Sequence, residues 1–140
     1  EEAVEADVLE PNAMCLSTVS EAGRPSARVV LLKGYDSEGF VWYTNYGSRK
    51  AQELDANPFA ALTFWWGDLE RSVRIEGRVQ RISKEESEAY FRSRPRGSQI
   101  GALVSEQSRP IENRQALDAR VAELKAKYED EEVAVPMPDW

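Results

Sequence analysis

A strict alternation of apolar and polar residues between positions 72 and 80 constrains the fold more than any other stretch. Val73, Ile75, Gly77 and Val79 would point to one side of an extended chain, and the polar residues between them to the other. This period of two is typical of an antiparallel strand with one buried and one solvated face. We therefore predict a sheet protein in which this segment is a half-buried strand.

Four further apolar runs predict strands, because they are short and are flanked by turn-like segments. They cover residues 14–19, 26–35, 40–44 and 60–66. Within the second run, Val29-Val30-Leu31-Leu32 is rich in β-branched residues and predicts a buried strand. Short turns favour antiparallel hairpins over crossover helices. We expect a mainly β fold, an antiparallel barrel or strongly bent sheet of at least five strands, with α-helices inserted and appended.

Helical spacing appears in two places outside these runs. Ala51 and Leu54 predict a helix over residues 48–57, with Ser48 as its N-cap. Apolar residues four, three and four apart predict a last helix from about Ile111 to Tyr128.

A capping box predicts a helix between these two. Ser83-Lys84-Glu85-Glu86 has the required serine with glutamate three residues later, and the helix would continue through about Arg92. Pro95 and Gly97 interrupt it, and residues 99–104 predict another short helical piece.

Composition limits the chemistry that the chain can perform. The 140 residues fit a single domain over 1–140, and the net charge of −7 argues against a nucleic-acid partner. No apolar run approaches the ~20 residues of a membrane span. Cys15 is the only cysteine, so no internal disulfide can form; we expect a cytoplasmic protein, or an organellar one if a presequence has been removed. The absence of histidine removes the commonest metal ligand and general base, so we predict no metal site and chemistry supplied by a cofactor or by further chain.

The basic start of the first predicted helix, Ser48-Arg49-Lys50, is a candidate phosphate site. The partial positive charge at a helix N-terminus makes two cations there slightly unfavourable unless an anion lies among them. Backbone N–H groups, the helix dipole and the side chains would then converge on one phosphate. The alternative is that both basic side chains point into solvent, and spacing alone does not separate the two.

Two other groups of polar residues are candidates for anion binding. Arg28 and Lys33 flank an apolar run, but residues five apart point to opposite faces of a strand, so one shared site would require a bulge. Tyr90, Arg94 and Ser98 would share one face of a continuous helix and carry groups that hold phosphate oxygens. The alternative for both groups is structural: solvated cations and a core tyrosine.

Four longer runs carry a resemblance to a known family. They are Arg28-Val29-Val30-Leu31-Leu32-Lys33-Gly34, Trp42-Tyr43-Thr44-Asn45-Tyr46-Gly47-Ser48-Arg49-Lys50, Val73-Arg74-Ile75-Glu76-Gly77 and Tyr90-Phe91-Arg92-Ser93-Arg94-Pro95-Arg96-Gly97-Ser98-Gln99-Ile100-Gly101-Ala102. In this order, and followed by Val104-Ser105-Glu106-Gln107-Ser108, they closely resemble the pyridoxamine 5'-phosphate oxidases over essentially the whole chain. The resemblance implies an antiparallel Greek-key FMN-binding split barrel and a homodimer with FMN at the subunit interface.

The resemblance also implies an activity and a set of binding residues. The family oxidises pyridoxamine or pyridoxine 5'-phosphate to pyridoxal 5'-phosphate and reduces oxygen to hydrogen peroxide, a step of vitamin B6 salvage. The residues that would bind FMN are Arg28, Val29, Val30, Leu31, Tyr43, Thr44, Arg49, Lys50, Gln107 and Ser108. The residues that would bind the substrate phosphate are Lys33, Tyr90, Arg94 and Ser98. Arg28 and Lys33 would then face different ligands.

Three departures from the family pattern qualify this expectation. Ser72 stands where the family has a glutamine that contacts the flavin, and Arg92 stands where a histidine is common. After Trp140 the family continues with a Gly-Gly-led strand and a later Arg-Leu-His-Asp-Arg motif that carries a catalytic-site arginine and histidine. We therefore expect a piece of the enzyme shortened at both ends, with no catalytic residue within this chain.

Two alternatives to the oxidase follow from the same residues. A non-catalytic split barrel could retain FMN or a B6 phosphate for carriage or regulation. A split-barrel reductase could use another flavin-type cofactor, although Tyr90, Arg94 and Ser98 have a purpose only with a phosphorylated substrate.

Overall fold

The computed structural model describes residues 1–130 and 132–140, and these contain six strands and five α-helices. The strands are β1 Ala13–Val19, β2 Pro25–Leu31, β3 Gly34–Tyr35, β4 Phe40–Val41, β5 Phe59–Trp66 and β6 Arg71–Arg78. The helices are α1 Glu2–Glu5, α2 Arg49–Ala56, α3 Lys84–Ser93, α4 Arg96–Val104 and α5 Arg114–Lys127, and a short 3₁₀ turn covers Gly67–Leu69. The expected mainly β fold with inserted and appended helices is confirmed.

The chain divides into two compact units. The first consists of Glu1–Tyr43 and Lys50–Gln80, and the second of Thr44–Arg49 and Arg81–Trp140. A single domain over residues 1–140 stays a prediction.

The first unit is built on a four-stranded sheet with the order β2-β1-β5-β6. All three pairings are antiparallel, as the short turns predict. One face carries the apolar core of Met14, Leu16, Leu62 and Phe64, all buried. Along β6 the predicted alternation is confirmed for Val73 and Ile75, which pack against this core.

The expectation that Val29-Val30-Leu31-Leu32 forms a buried strand is wrong in part. β2 lies at the edge of the sheet, and Val30 packs against the core while Val29 is 71% exposed and Leu31 37% exposed. Consecutive side chains in a strand point to opposite faces, so only one half of an apolar run can face a single core. Composition indicates a strand but does not show whether both of its faces are covered.

The strand expected over residues 40–44 is shorter than the sequence predicts. Only β4 is extended, and it pairs with β3 in a separate two-stranded sheet. Trp42 packs against the core of the first unit, and Thr44 is buried in the second. The β propensity of the run therefore predicts the strand's presence but not its end, because propensity depends on the pairing and packing partners that the segment meets.

The second unit is held together by its own core. Its buried residues are Phe91, Ile100, Val104, Tyr128 and Val135. The predicted capping box is confirmed, since the Ser83 hydroxyl accepts a hydrogen bond from the backbone N–H of Glu86, and the Glu86 carboxylate accepts one from the N–H of Ser83. The buried Val135 shows that the proline-rich tail is part of this core.

The helix break predicted near Pro95 is confirmed. Arg94 is extended, with φ −74° and ψ 147°, because a following proline disfavours the helical conformation. α4 then begins at Arg96, earlier than the predicted residue 99. α5 begins later than predicted, because the Asn113 side chain caps it by accepting the N–H of Ala116 at 2.8 Å.

None of the helices in residues 1–130 and 132–140 has the length and apolar character needed to cross a membrane.

Candidate functional site

A buried carboxylate organises the first unit's polar residues. The Glu53 side chain, on α2, faces the sheet and is only 6% exposed. Its Oε2 accepts hydrogen bonds from the hydroxyls of Thr18 and Ser26, both at 2.5 Å. The same oxygen lies 3.3 Å from Arg28 Nη2. A buried charge is tolerated when it is paired and hydrogen-bonded in this way.

The Arg28 guanidinium completes this network. Nη1 donates to the Leu16 carbonyl at 3.2 Å and to the Thr18 hydroxyl at 2.6 Å, and Nη2 donates to the Ser26 hydroxyl at 2.5 Å. Each hydroxyl therefore accepts a hydrogen bond from Arg28 and donates its single proton to Glu53. Arg28 is a fixed cation rather than a solvated one.

Lys50 adds a second positive charge to the same unit. It is buried, in the first turn of α2. Burial lowers the pKa of Lys50 from its usual 10.5, and the positive charge of Arg28 lowers it further. Lys50 therefore lies close enough to Arg28 for the two positive charges to repel one another, and an anion bound beside them would relieve that repulsion. The structure thus contradicts the solvated alternative for Lys50, whereas Arg49 is exposed.

The remaining candidates on β2 divide between the two faces of the sheet. Val30 follows Arg28 onto the core side, whereas Val29 and Leu31 lie on the exposed side. One ligand cannot contact all four side chains of a regular strand, so any shared contact would have to include the backbone.

In the second unit, two candidates from distant parts of the chain come together. Gln107 Oε1 accepts a hydrogen bond from the hydroxyl of buried Thr44 at 3.0 Å and a longer one from the Asn45 N–H at 3.4 Å. Ser108 follows with a φ of 65°, the left-handed region that non-glycine residues rarely adopt. Such backbone strain is found preferentially at ligand sites. Tyr43 is half-buried at the end of the first segment of the first unit.

Tyr90 and Arg94 meet at the indole of Trp140. The rings of Tyr90 and Trp140 are stacked with their centroids 6.0 Å apart, and the Arg94 guanidinium carbon lies 4.7 Å from the Trp140 ring centroid. Within the described chain, Arg94 Nη1 is buried and has no hydrogen-bond partner. A buried donor left unsatisfied costs about 1–3 kcal/mol, and more when it is charged, so this atom is suited to an anionic acceptor.

The two other candidates for the substrate phosphate are Ser98, in the second unit, and Lys33, in the first. Ser98 is half-buried in the first turn of α4, where its N–H donates to the Pro95 carbonyl at 2.8 Å. Because of the break at Arg94, it does not continue the helical face of Tyr90. Lys33 is exposed in the first unit, beyond the end of β2, and its N–H donates to the Val41 carbonyl at 2.8 Å.

Trp140 also lines a cavity of about 420 Å³ in the second unit. Its walls are formed by Tyr46, Arg81, Ile82, Lys84, Met137, Pro138, Asp139 and Trp140. The Arg81 guanidinium lies 4.1 Å from the centroid of the Tyr46 ring, and the Tyr46 N–H donates to the Asp139 carbonyl at 2.9 Å. The volume is within the usual range for small-molecule sites, and the walls combine aromatic, cationic, acidic and apolar residues.

Sequence reasoning did not single out Glu53, Thr18, Ser26 or Trp140. One signal was available: Thr18 continues the buried positions of Met14 and Leu16, and a hydroxyl there requires a partner. For Trp140 the sequence holds no corresponding signal, because its contacts depend on where the tail returns.

The chain matches known proteins over its whole length. Residues 1–128 match the family model described as pyridoxamine 5'-phosphate oxidase. The pyridoxine/pyridoxamine 5'-phosphate oxidases of Rubrobacter xylanophilus and Acaryochloris marina are 58% and 56% identical over 140 residues, all of this chain and 64% of each relative. The crystal structure of PhzG from Burkholderia lata 383 with tetrahydrophenazine-1-carboxylic acid superposes with a TM-score of 0.90 at 31% identity, covering 98% of this chain and 66% of that one.

Proposed function

Because the chain belongs to the pyridoxamine 5'-phosphate oxidase family, we propose that the protein carrying it is an FMN-dependent oxidase of phosphorylated B6 vitamers. It converts pyridoxamine or pyridoxine 5'-phosphate to pyridoxal 5'-phosphate and reduces oxygen to hydrogen peroxide. The chain spans 64% of the length of the relatives named above, so the proposal concerns the whole protein.

The cofactor part of the proposal is supported by the donors available in this chain. Arg28 and Lys50 are cations close enough to repel one another, which suits an anionic group such as the FMN phosphate, and Thr44 and Gln107 provide a second polar group. The full proposed set is Arg28, Val29, Val30, Leu31, Tyr43, Thr44, Arg49, Lys50, Gln107 and Ser108. When bound, FMN supplies the hydride acceptor, and the protein's part is binding and orientation.

The buried, unpartnered Nη1 of Arg94 is the observation that carries the substrate part of the proposal. A phosphate oxygen would supply its missing acceptor as a charge-assisted hydrogen bond. We assign the substrate phosphate to Lys33, Tyr90, Arg94 and Ser98. Anchoring the phosphate would hold the reacting carbon of the substrate in a fixed position, which lowers the entropic part of the barrier.

The proposal includes features of the whole protein. No catalytic residue is assigned within these 140 residues, so the groups that complete the reaction would come from elsewhere in the protein. A homodimer with FMN at its interface and a cytoplasmic location complete the proposal.

The test is to purify the intact protein, record its flavin absorbance, and measure pyridoxal 5'-phosphate and peroxide with each substrate. We expect bound FMN and equal amounts of the two products. A protein that binds FMN and pyridoxine 5'-phosphate but never turns over would support the non-catalytic carrier instead. A protein that binds neither would contradict both.

A further inference from the structure

The indole of Trp140 lies at the centre of a cluster formed by three side chains of the α3 segment. Besides the stack with Tyr90 and the guanidinium of Arg94, it meets the Phe91 ring edge-on, at 5.6 Å between centroids and an interplanar angle of 89°. Two of these three side chains, Tyr90 and Arg94, are residues assigned above to the substrate phosphate. Trp140 itself belongs to no assigned site.

The tail that carries Trp140 is held in place by two arginines. Arg96 Nη2 lies 2.7 Å from each of the carbonyl oxygens of Tyr128, Asp130 and Val133. Arg92 Nη1 donates to the Val135 carbonyl at 3.0 Å, and the Val135 side chain is completely buried. The position of the indole is therefore set by backbone contacts along the tail, and not by the stacking alone.

A fixed indole restricts the conformations of Arg94. An arginine side chain loses rotamer entropy when it is immobilised, and part of that loss occurs on ligand binding if the side chain is free beforehand. Attraction between the guanidinium and the ring face holds Arg94 before any ligand arrives. Its N–H groups remain the means of binding an anion, and one of them is the buried Nη1 described above.

We propose that Trp140 is a positioning residue that orders Arg94 and Tyr90 for the phosphate group of the substrate, and that Arg96 acts through the tail to place it. This inference rests on the proposed function, since it deepens the assignment of Arg94 and Tyr90. Trp140 would then influence substrate affinity through Arg94 and Tyr90, and not by touching the reacting carbon.

The experiment compares Trp140→Leu and Trp140→Phe with the wild type in the intact, FMN-loaded protein. The dissociation constant of pyridoxine 5'-phosphate is measured by titration without oxygen after the flavin has been reduced, so that the substrate binds but cannot be oxidised, and KM and kcat are measured separately. We expect Trp140→Leu to weaken binding by roughly five- to thirtyfold, and Trp140→Phe, which keeps an aromatic face, by about two- to fourfold. KM should rise with a smaller change in kcat, and FMN affinity should stay as in the wild type.

Two further variants separate positioning from general stability. Arg96→Met removes the guanidinium that holds the tail carbonyls and should weaken substrate binding in the same direction as Trp140→Leu. Val133→Ala changes an exposed side chain of the same tail while keeping its carbonyl, and should leave substrate binding unchanged.

The outcomes distinguish this inference from the proposed function. If the wild type does not bind pyridoxine 5'-phosphate, the proposed function fails. If the wild type binds it and Trp140→Leu folds and binds equally well, the positioning role is wrong. If Trp140→Leu does not fold, Arg96→Met decides, and wild-type substrate affinity in that variant would overturn the inference.

Discussion

Lys50 is a buried, ionisable side chain that lies near a second cation, Arg28. Burial and the charge of Arg28 both lower its pKa, so the folded protein favours the neutral amine more than the unfolded chain does. An anion bound nearby would oppose that shift. Ligand affinity and the stability of the ligand-free protein should therefore depend on the protonation of Lys50 in opposite directions.

We predict that FMN affinity falls as the pH rises through the lowered pKa of Lys50, because the FMN phosphate then loses a cationic partner. Over the same range, up to the usual value of 10.5, the ligand-free protein should gain stability. There the unfolded chain still holds the proton that the folded protein has released. Quenching of flavin fluorescence and urea unfolding across the pH range measure the two effects.

Lys50→Arg is the matched control, because arginine stays charged throughout. Its FMN affinity should depend much less on alkaline pH. An equally large alkaline loss in this variant would show that another group is responsible. Replacing both Arg49 and Lys50 by alanine should weaken FMN binding at every pH.

Arg94→Ala tests the substrate phosphate site. The lost charge-assisted hydrogen bond is worth about 1.5–3 kcal/mol, so KM for pyridoxine 5'-phosphate should rise by roughly ten- to a hundredfold. Flavin content should stay as in the wild type. Steady-state kinetics with both B6 phosphates and the flavin-to-protein absorbance ratio measure this; an unchanged KM would exclude Arg94 from the site.

Among the secondary-structure elements, helix ends are explained well by sequence signals that lie within a few residues of them. The capping box at Ser83 and the proline after Arg94 act within a few residues, so the sequence predicts their effect directly. Propensity was less informative for residues 40–44, where Phe40–Val41 pair as a strand, Trp42 packs partly buried against the core and Thr44 is buried. Strand propensity depends on the neighbours that a segment meets, which the local sequence does not show.

Ser83→Ala should destabilise the protein by about 1 kcal/mol, because the first turn of α3 loses its side-chain cap. Ser83→Thr keeps a hydroxyl and should restore most of that loss. Chemical denaturation of both variants provides the comparison. Equal stability of the alanine variant and the wild type would mean that the cap contributes nothing beyond what water supplies.

At the scale of the whole molecule, one face of the sheet in the first unit is exposed in the single chain. Val29 is paired with Cys15, and Cys15 with Thr63, so these side chains share the face opposite the core, together with Trp65 two residues further along β5. Val29 is 71% exposed and Trp65 66% exposed. Exposed apolar surface on a sheet is typical of an interface between proteins, and the proposed homodimer would cover it.

Val29→Lys should therefore shift the protein from dimer to monomer, because a charge would be buried in an apolar contact. Leu9→Lys is the control, since Leu9 is also exposed, at 89%, but lies outside the sheet. Sedimentation at several concentrations measures both variants. A Val29→Lys protein that remains as dimeric as the wild type would place the interface elsewhere.

The sequence predicts the features that depend only on neighbouring residues. They include the alternation of β6, the capping box and the break after Arg94, because periodicity, caps and proline act over a few positions. Its longer motifs also indicated the family. Only the tertiary structure showed that Glu53 joins Thr18, Ser26 and Arg28, and that the indole of Trp140 lies against Tyr90 and Arg94. The physical reason is that these contacts join residues 25 to 50 positions apart in the chain, and their geometry exists only once the strands pair and the tail is bound by Arg92 and Arg96.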